Sequence, residues 1–330
     1  MKIAIITVTE NGKKLGETIL NELIKDTRII RAEIFHKNVK TSLNERFESY
    51  NSIIAVMATG IVIRTICPLL KNKGTDPAVL VIDEKGKHVI SLLSGHLGGA
   101  NELTIKISNI INSEPVITTA TDINNKYGID CLANKYYFNI NPLSNIKHIN
   151  SGLINNENVT IDYNSSYDFL WNDKKVRNNY HRGSNESKAI TVSKGPFTLN
   201  LIPREVVVGI GSRKNIGSKT IIKAIENAMM ALNLPLERIN CIATGDMKKN
   251  ENGIIEAAEQ IHVPLKIISE MDIKKYENPD LNDSEFVMEN FGIGGVCEPS
   301  SLIAAGENST LILRKTPYNG VTIAVSVSKN

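Results

Sequence analysis

The chain has 330 residues, more than one ordinary hydrophobic core accommodates, so about two or three domains are expected. Hydrophobic residues make up 42% and charged residues 22%, which excludes a wholly disordered chain. The net charge of +3 is too small to indicate nucleic-acid binding by itself. No apolar stretch approaches the ~20 residues of a membrane helix, and the N-terminus lacks a signal-peptide pattern, so we expect a cytoplasmic protein without membrane contact.

The residue types that build disulfides and metal sites are scattered along the chain. The cysteines lie far apart and form no C-x-x-C pair, and the histidines form no H-x-x-x-H pair. This spacing predicts neither a disulfide framework nor a metal site. The cysteines are Cys67, Cys131, Cys241 and Cys297.

The N-terminal part alternates predicted strands and helices. Apolar, β-branched runs predict strands at 2–8, 52–57, 78–82, 88–93 and 115–118, with a turn at 83–86 joining two of them. Helical spacing of apolar residues predicts helices near 15–24, 60–70 and 98–111. Alternation of this kind is typical of a mainly parallel sheet covered on both faces.

Asparagine, serine and charged residues dominate from about 139 to 193, which is compatible with a small middle domain or with an irregular insertion. Tyr167, Phe169 and Trp171 could form a modest core, which favours the domain. Strands predicted at 206–211, 238–243, 264–268, 310–313 and 321–327, with helices between them, indicate a second α/β domain. The predicted fold is therefore a multi-domain α/β protein with domains at 1–125, 126–203 and 204–330.

The segment from Ser91 to Leu103 is the strongest candidate for chemistry. It follows a strand and opens a helix, the place where ligands bind in open α/β sheets. Its glycines permit tight turns, and its polar side chains offer a hydroxyl, an imidazole, an amide and a carboxylate. The alternative is a plain glycine-rich connection in which His96 caps a carbonyl. The candidates are Ser94, Gly95, His96, Gly98, Gly99, Asn101 and Glu102.

Two further N-terminal segments have polar residues at predicted strand ends. Residues 57–79 contain an arginine near a glycine turn, an arrangement that suits carboxylate binding, although a solvated arginine explains it equally well. Residues 118–124 could bind a polar ligand or form a hydrogen-bonded turn. The candidates are Thr59, Gly60, Arg64, Lys73, Asp76, Thr119, Thr121 and Asp122.

The C-terminal part holds two weaker candidates. The glycines at 209–220 depart from the dinucleotide and P-loop spacings, so Gly211 and Arg213 are interpreted as part of an anion-binding turn. Glu298 opens a predicted helix beside a glycine-rich stretch, where it could contact a ligand or simply interact favourably with the helix dipole.

Taken together, these segments resemble the cobalt-precorrin-5A hydrolase family of anaerobic cobalamin biosynthesis, known as CbiG. The similar stretches are ATGIVIRTICPLLKNKGTDPAVLVID, HVISLLSGHLGGANELTIKI, PVITTATD, VVVGIGSRK, CIATGD, GGVCEPSSLIAAG and GVTIAVS. They occur in the family's order and cover most of the chain outside the asparagine-rich middle. The chain has Ser212 where members commonly have cysteine, and Gly245 where they often have an apolar residue.

The resemblance implies a specific reaction. Water opens the lactone of a cobalt-bearing corrinoid rich in carboxylates, and fragmentation then releases acetaldehyde and gives cobalt-precorrin-5B. The cobalt arrives with the substrate, so the resemblance implies no cofactor and no protein metal site. It is compatible with a homo-oligomer and with transient contacts to other enzymes of the pathway.

The resemblance also suggests roles for the candidate residues. Lactone hydrolysis needs a base for water and donors for an oxyanion. His96 would be the base, oriented by Glu102 or Asp122, with the Gly98 and Gly99 N–H groups as donors. Substrate carboxylates would be held by Arg64, Lys73 and Arg213. The alternatives are a non-catalytic corrinoid carrier and a methyltransferase of the same pathway, although the glycine-rich cofactor signature of the latter is not visible.

Overall fold

The computed structural model describes residues 1–72, 74–184, 189–278, 280–281 and 295–329. The predicted ligand-binding residue Lys73 lies outside the described residues. Three sheets occupy residues 2–116, 138–203 and 206–327 and define N-terminal, middle and C-terminal units, each within one of the predicted ranges. None of the described helices is long and apolar enough to cross a bilayer.

The N-terminal unit is a six-stranded sheet with order β2-β1-β3-β4-β5-β6, in which only the β4–β5 pair is antiparallel. Every residue of β3 and β4 is buried, as their continuous apolar sequences predict. The strands are β1 (Lys2–Thr7), β2 (Arg31–His36), β3 (Ser52–Val56), β4 (Ala78–Ile82), β5 (His88–Leu93) and β6 (Glu114–Val116). The helices are α1 (Glu10–Leu23), α2 (Val39–Arg46), α3 (Thr59–Ile66), α4 (Ala100–Ile111) and α5 (Ala120–Ile123).

The middle unit is an ordered domain with its own sheet, of order β7-β11-β10-β8-β9. Its strand pairs are antiparallel except β8–β9. Phe169 lies in its core, and Tyr167 and Trp171 pack against that core. The strands are β7 (Phe138–Asn141), β8 (Thr160–Asp162), β9 (His181–Arg182), β10 (Ile190–Lys194) and β11 (Phe197–Pro203). The helices are α6 (Ile129–Tyr136), α7 (Ile146–Ile154), α8 (Phe169–Asn172) and α9 (Lys174–Asn179).

The C-terminal unit has a five-stranded sheet of order β14-β13-β12-β16-β15. Pairs β12–β13 and β13–β14 are parallel, whereas the hairpin β15–β16 adds antiparallel pairs. The three sheets and their covering helices confirm the predicted multi-domain α/β class. The strands are β12 (Val206–Ser212), β13 (Cys241–Gly245), β14 (Leu265–Ile268), β15 (Thr310–Tyr318) and β16 (Val321–Val327). The helices are α10 (Ser218–Ala231), α11 (Asn252–Gln260), α12 (Glu270–Lys275) and α13 (Cys297–Ala305).

The buried guanidinium of Arg238 joins the middle and C-terminal units. Its Nε donates to the Tyr136 carbonyl at 2.7 Å, and Nη2 donates to the carbonyls of Tyr137, at 3.2 Å, and of Arg204. The sequence had predicted a strand from residue 238. The strand begins at Cys241 instead, because residues 236–238 form a short 3₁₀ turn that carries Arg238.

The contact between β12 and α13 yields a stability prediction. A Cβ at Gly209 would lie 1.9 Å from the Cys297 carbonyl oxygen, so Gly209→Ala must push the helix off the sheet. We expect a loss of about 1–3 kcal/mol of unfolding free energy, seen as a lower thermal midpoint. Gly217→Ala is the control, since nothing lies within 4 Å of the added methyl group. Equal midpoints for the two variants would contradict the close packing.

Candidate functional site

The polarity of β5 determines which loops meet at the candidate site. Because β5 runs antiparallel to β4, Leu93 pairs with Val79 near the start of β4. β6 runs parallel to β5, so the loops that follow β5 and β6 emerge at the same sheet edge. This edge brings the glycine-rich segment 94–99 beside residues 117–122.

The loop after β3 lies at the opposite edge. Val56 pairs with Ile82 at the end of β4, far along the strand from the residue that pairs with Leu93. Thr59 and Gly60 follow at that edge, and Arg64 Nη1 donates to the Gly60 carbonyl at 3.2 Å. The structure does not bring these three residues to the sheet edge that holds His96, because the hairpin reverses the direction of β5, and their role in substrate binding stays a prediction.

His96 is the centre of the site. Its Nδ1 lies 3.0 Å from Asp130 Oδ2, and its Nε2 lies 2.7 Å from Asp122 Oδ2 and 3.1 Å from Thr121 Oγ1. The imidazole is largely buried, with 7% of the side chain exposed. One carboxylate therefore faces each ring nitrogen, and the two carboxylates come from different helices, α5 and α6.

Asn101 ties the loops together from the first turn of α4. Its Oδ1 accepts from Ser91 Oγ at 2.7 Å, and its Nδ2 donates to Thr119 Oγ1 at 3.1 Å and to Asp122 Oδ2 at 3.0 Å. The amide is buried, so these bonds face little competition from water. The structure thus brings the predicted ligand-binding residues Asn101 and Thr119 together with Asp122.

Close packing around two glycines and one side-chain hydrogen bond hold the strand-to-helix loop in place. A Cβ at Gly98 would lie 2.5 Å from Ser94 Cβ, and one at Gly95 would lie 2.8 Å from Asn101 Oδ1. Ser94 Oγ donates to the Asp76 carbonyl at 3.0 Å, which attaches the loop to the segment before β4. The buried Asp76 carboxylate itself accepts from the Lys71 N–H at 3.0 Å, so it supports its own loop.

One predicted oxyanion donor is already engaged. The Gly99 N–H donates to the His96 carbonyl at 3.0 Å, so the expectation that it binds an oxyanion is wrong for this structure. The Gly98 N–H donates no hydrogen bond within the described part of the chain. Only the Gly98 amide therefore keeps the predicted donor capacity.

Asp130 is the site residue that the sequence analysis missed. It lies in the first turn of α6, with 9% of its side chain exposed, 34 residues after His96. Its Oδ1 accepts from Asn150 Nδ2 on α7 at 3.0 Å. An aspartate at a helix start ordinarily indicates only an interaction with the helix dipole, so the sequence carried no signal for this contact.

The residues behind the ring decide the charge of the imidazole. Burial alone would lower the pKa of His96, but the hydrogen bonds and charges of Asp130 and Cys131 outweigh it and raise the pKa to about 11. Burial raises the pKa of Asp130, and the hydrogen bond and charge of His96 bring it below its usual value. At neutral pH His96 is therefore an imidazolium and Asp130 a carboxylate.

His96, Asp130 and Cys131 could also hold a metal ion, because their ligand atoms lie within 4.8 Å of one another. Nitrogen, oxygen and sulfur ligands of this kind suit zinc. In this arrangement both ring nitrogens already contact carboxylates, so a metal would have to replace the His96–Asp130 hydrogen bond. The geometry favours a hydrogen-bonded ion triplet.

The remaining candidates lie outside this cluster. Glu102 is exposed on the first turn of α4, and it is Asp122 that contacts the imidazole. Glu298 is buried at 2% exposure and accepts from the Lys315 N–H at 2.7 Å, which supports the α13–β15 packing. Gly211 packs against Thr322.

The predicted anion-binding turn is in the C-terminal unit. Arg213 is exposed, and its N–H donates to the Gly320 carbonyl at 2.9 Å in the β15–β16 turn. Within the described residues, no hydrogen bond or ion pair links this turn to His96.

A pocket of about 360 Å³ in the middle unit, with Lys126 and Arg177 in its lining, is a cationic surface that the sequence analysis did not find.

Comparison with known proteins places the chain in a family. The models for the N-terminal and C-terminal parts of cobalamin synthesis protein G match residues 41–122 and 206–326. A Methanocaldococcus jannaschii protein named "Probable cobalt-precorrin-5A hydrolase" is 33% identical over 99% of both chains. The chain belongs to the CbiG family.

Other CbiG relatives share this length. The cobalt-precorrin-5A hydrolase of Priestia megaterium is 28% identical over 98% of this chain and 94% of its own, and that of Salmonella typhimurium is 31% identical over 89% and 87%. The crystal structure of a cobalamin biosynthesis protein G homologue from Sulfolobus solfataricus matches with a TM-score of 0.63 at 30% identity, covering 99% of this chain and 97% of that one. The similarity to CbiG proteins includes the middle unit, which the two family models leave out.

The charge of His96 makes stability depend on pH. Because the folded-state pKa lies above the unfolded value of 6.5, the contribution of His96 is complete below about 6.5 and is lost as pH rises towards 11. We expect the unfolding free-energy gap between the wild type and His96→Gln to shrink steadily from pH 6 to pH 9. Urea unfolding at several pH values measures this gap, and a constant gap would contradict the imidazolium assignment.

Proposed function

We propose that this CbiG protein is a cobalt-precorrin-5A hydrolase, which opens the lactone of a cobalt corrinoid with water and releases acetaldehyde. Support comes from relatives of that name that align along nearly the whole chain. The observation that carries the proposal is the His96 ion triplet, which lies where the motifs following β5 and β6 meet. The substrate brings the cobalt, and we assign no cofactor of the protein to the reaction.

The geometry suggests different roles for Asp122 and His96. Asp122 is the accessible carboxylate of the triplet, with 38% of its side chain exposed. Its Oδ2 accepts hydrogen bonds from His96 and Asn101. Among the described residues none donates to Oδ1, so this oxygen can accept from a water molecule. We therefore assign Asp122 as the group that takes the proton from the attacking water.

His96 then acts as a fixed positive charge. The sequence analysis gave it the role of base, but an imidazolium with a pKa near 11 holds its proton at neutral pH. The imidazolium would hold the Asp122 carboxylate ionised and in place. The unengaged Gly98 N–H would donate to the oxyanion that develops as water adds. As the lactone opens, Asp122 would return the proton taken from water to the departing ring oxygen, which becomes the new hydroxyl. Asp122 would then take the hydroxyl proton as the carbon–carbon bond breaks and acetaldehyde leaves, and that proton would pass to the carbon that keeps the electron pair.

A corrinoid carrier explains the triplet less well. Binding a carboxylated ligand needs exposed cations, whereas His96 is buried and its charge is already balanced by two carboxylates. We place the protein in the cytoplasm, where it would receive its corrinoid from other enzymes of the pathway.

The decisive experiment is anaerobic incubation of the purified protein with cobalt-precorrin-5A, followed by an acetaldehyde assay. Wild type should release one acetaldehyde per substrate consumed. Asp122→Asn should lower kcat by about 10²–10⁴-fold, because the group that accepts the proton is lost. The matched control is Glu102→Gln, which neutralises an exposed carboxylate on the adjacent helix and should leave kcat within about twofold.

Bound substrate without acetaldehyde would reject the hydrolase in favour of the carrier. A large loss in Glu102→Gln with an active Asp122→Asn would reverse the assignment of the two carboxylates.

A further inference from the structure

The Asp130 carboxylate is saturated by protein partners. One oxygen, Oδ2, accepts from His96 Nδ1 at 3.0 Å, and the other, Oδ1, accepts from Asn150 Nδ2 at 3.0 Å. Only 9% of its side chain is exposed, compared with 38% for Asp122. Asp130 therefore lies behind the imidazole, on the side away from the accessible carboxylate.

Asn150 is oriented by a bond at its other end. Its Oδ1 accepts from the Ile129 N–H at 2.9 Å, so its NH₂ group must face Asp130. The backbone at Gly128 leaves room for this pair, since a Cβ there would lie 2.7 Å from Asp130 Oδ1 and 3.3 Å from Asn150 Nδ2. The chain Ile129–Asn150–Asp130–His96 thus holds the carboxylate in one position.

We propose that Asp130, held by Asn150, is the positioning residue that fixes the ring orientation of His96 and holds a proton on its Nδ1. This inference rests on the proposed hydrolase function and adds a role for the middle unit, since both residues come from its helices α6 and α7. Asp130 acts through His96 and does not touch the substrate. The arrangement follows the general rule that a buried partner on one nitrogen determines what the other nitrogen can do.

Three titratable groups face the imidazole. Asp122 approaches from α5, and Asp130 and Cys131 approach from α6. Burial raises the pKa of the Cys131 thiol, and the hydrogen bond and charge of His96 act in the opposite direction. Removing the Asp130 charge leaves Asp122 as the one carboxylate on the ring, so the His96 pKa must fall.

The first test compares Asp130→Asn with wild type in the acetaldehyde assay. We expect kcat to fall at least tenfold with little change in KM, because the residue does not bind substrate. We also expect the alkaline limb of the pH profile of kcat/KM to move to lower pH, because the variant loses the imidazolium sooner. The matched control is Asp168→Asn, an exposed carboxylate of the same unit that pairs with Arg182, and its profile should match the wild type. An unchanged pH profile in Asp130→Asn, with lower kcat, would reduce Asp130 to a structural residue.

The second test needs no substrate. In protein labelled with ¹⁵N-histidine, with the signal assigned through His96→Gln, both ring nitrogens of His96 should remain protonated from pH 6 to pH 9. In Asp130→Asn the ring should titrate within that range. If Asp130→Asn does not fold, Asp130→Ser removes the same charge with a smaller side chain, and the ring should again titrate within that range.

The two tests separate the two proposals. A wild-type His96 that titrates near 6.5 overturns the positioning role, whatever the activity. A permanently protonated His96 in a protein that releases no acetaldehyde overturns the hydrolase and leaves the positioning role intact.

Discussion

The ion triplet of Asp122, His96 and Asp130 is the interaction on which the site depends. A buried imidazolium is costly unless opposite charges and hydrogen bonds surround it, and here a carboxylate bonds each ring nitrogen. The carboxylates do not come from the strand-to-helix loop that carries the histidine. The site therefore exists only when the N-terminal and middle units pack against each other, and the Asn134 side chain, which donates to the His96 carbonyl at 3.4 Å, belongs to the same contact.

Helix α6 links this site to the C-terminal unit. Its eight residues span about 12 Å. Asp130 lies in its first turn, and the carbonyls of Tyr136 and Tyr137 at its end accept hydrogen bonds from the guanidinium of Arg238. Burial lowers the pKa of Arg238 to about 10, so the group remains a cation at neutral pH. A negative charge near the N-terminus and a positive charge near the C-terminus both interact favourably with the helix dipole, so they stabilise the helix that positions Asp130.

Much of the fold could be predicted from the sequence because its strands are short apolar runs with clear ends. Strands β4, β5 and β16 have the predicted bounds, and helix α13 lies where a helix was predicted to open near Glu298. Strand β2 was missed because its residues, RAEIFH, are only partly buried and carry no strong apolar pattern. The turn at 83–86 was predicted, but the antiparallel direction of β5 was not, so the sequence did not show that Thr59 and Gly60 lie at the edge opposite His96.

Only those site residues that lie in the motifs around the His96 loop could be predicted from the sequence. Asn101, Thr121 and Asp122 lie in motifs that adjoin one sheet edge, so their polar side chains could be grouped with His96 before the geometry was known. Asp130 could not be grouped with His96, because its segment has the pattern of an ordinary helix start and its contact with His96 joins two different units. The charge of the ring also depends on distant parts of the chain. A histidine in a glycine loop suggests a base, whereas Asp130 and Cys131 of helix α6 raise the pKa of His96 and keep the ring a cation.

The glycines of the loop show what this arrangement requires. Glycines at a strand-to-helix turn are commonly interpreted as positions that allow a ligand to approach. Here the Asn101 amide packs against Gly95, and the Ser94 side chain packs against Gly98. The Gly99 N–H is used to close the turn on the His96 carbonyl. The loop is therefore built mainly to present one imidazole in one position, with its charge already balanced before a substrate arrives. A rigid ion triplet of this kind holds the Asp122 carboxylate in one position before the reaction, so that little reorganisation is needed when it accepts a proton.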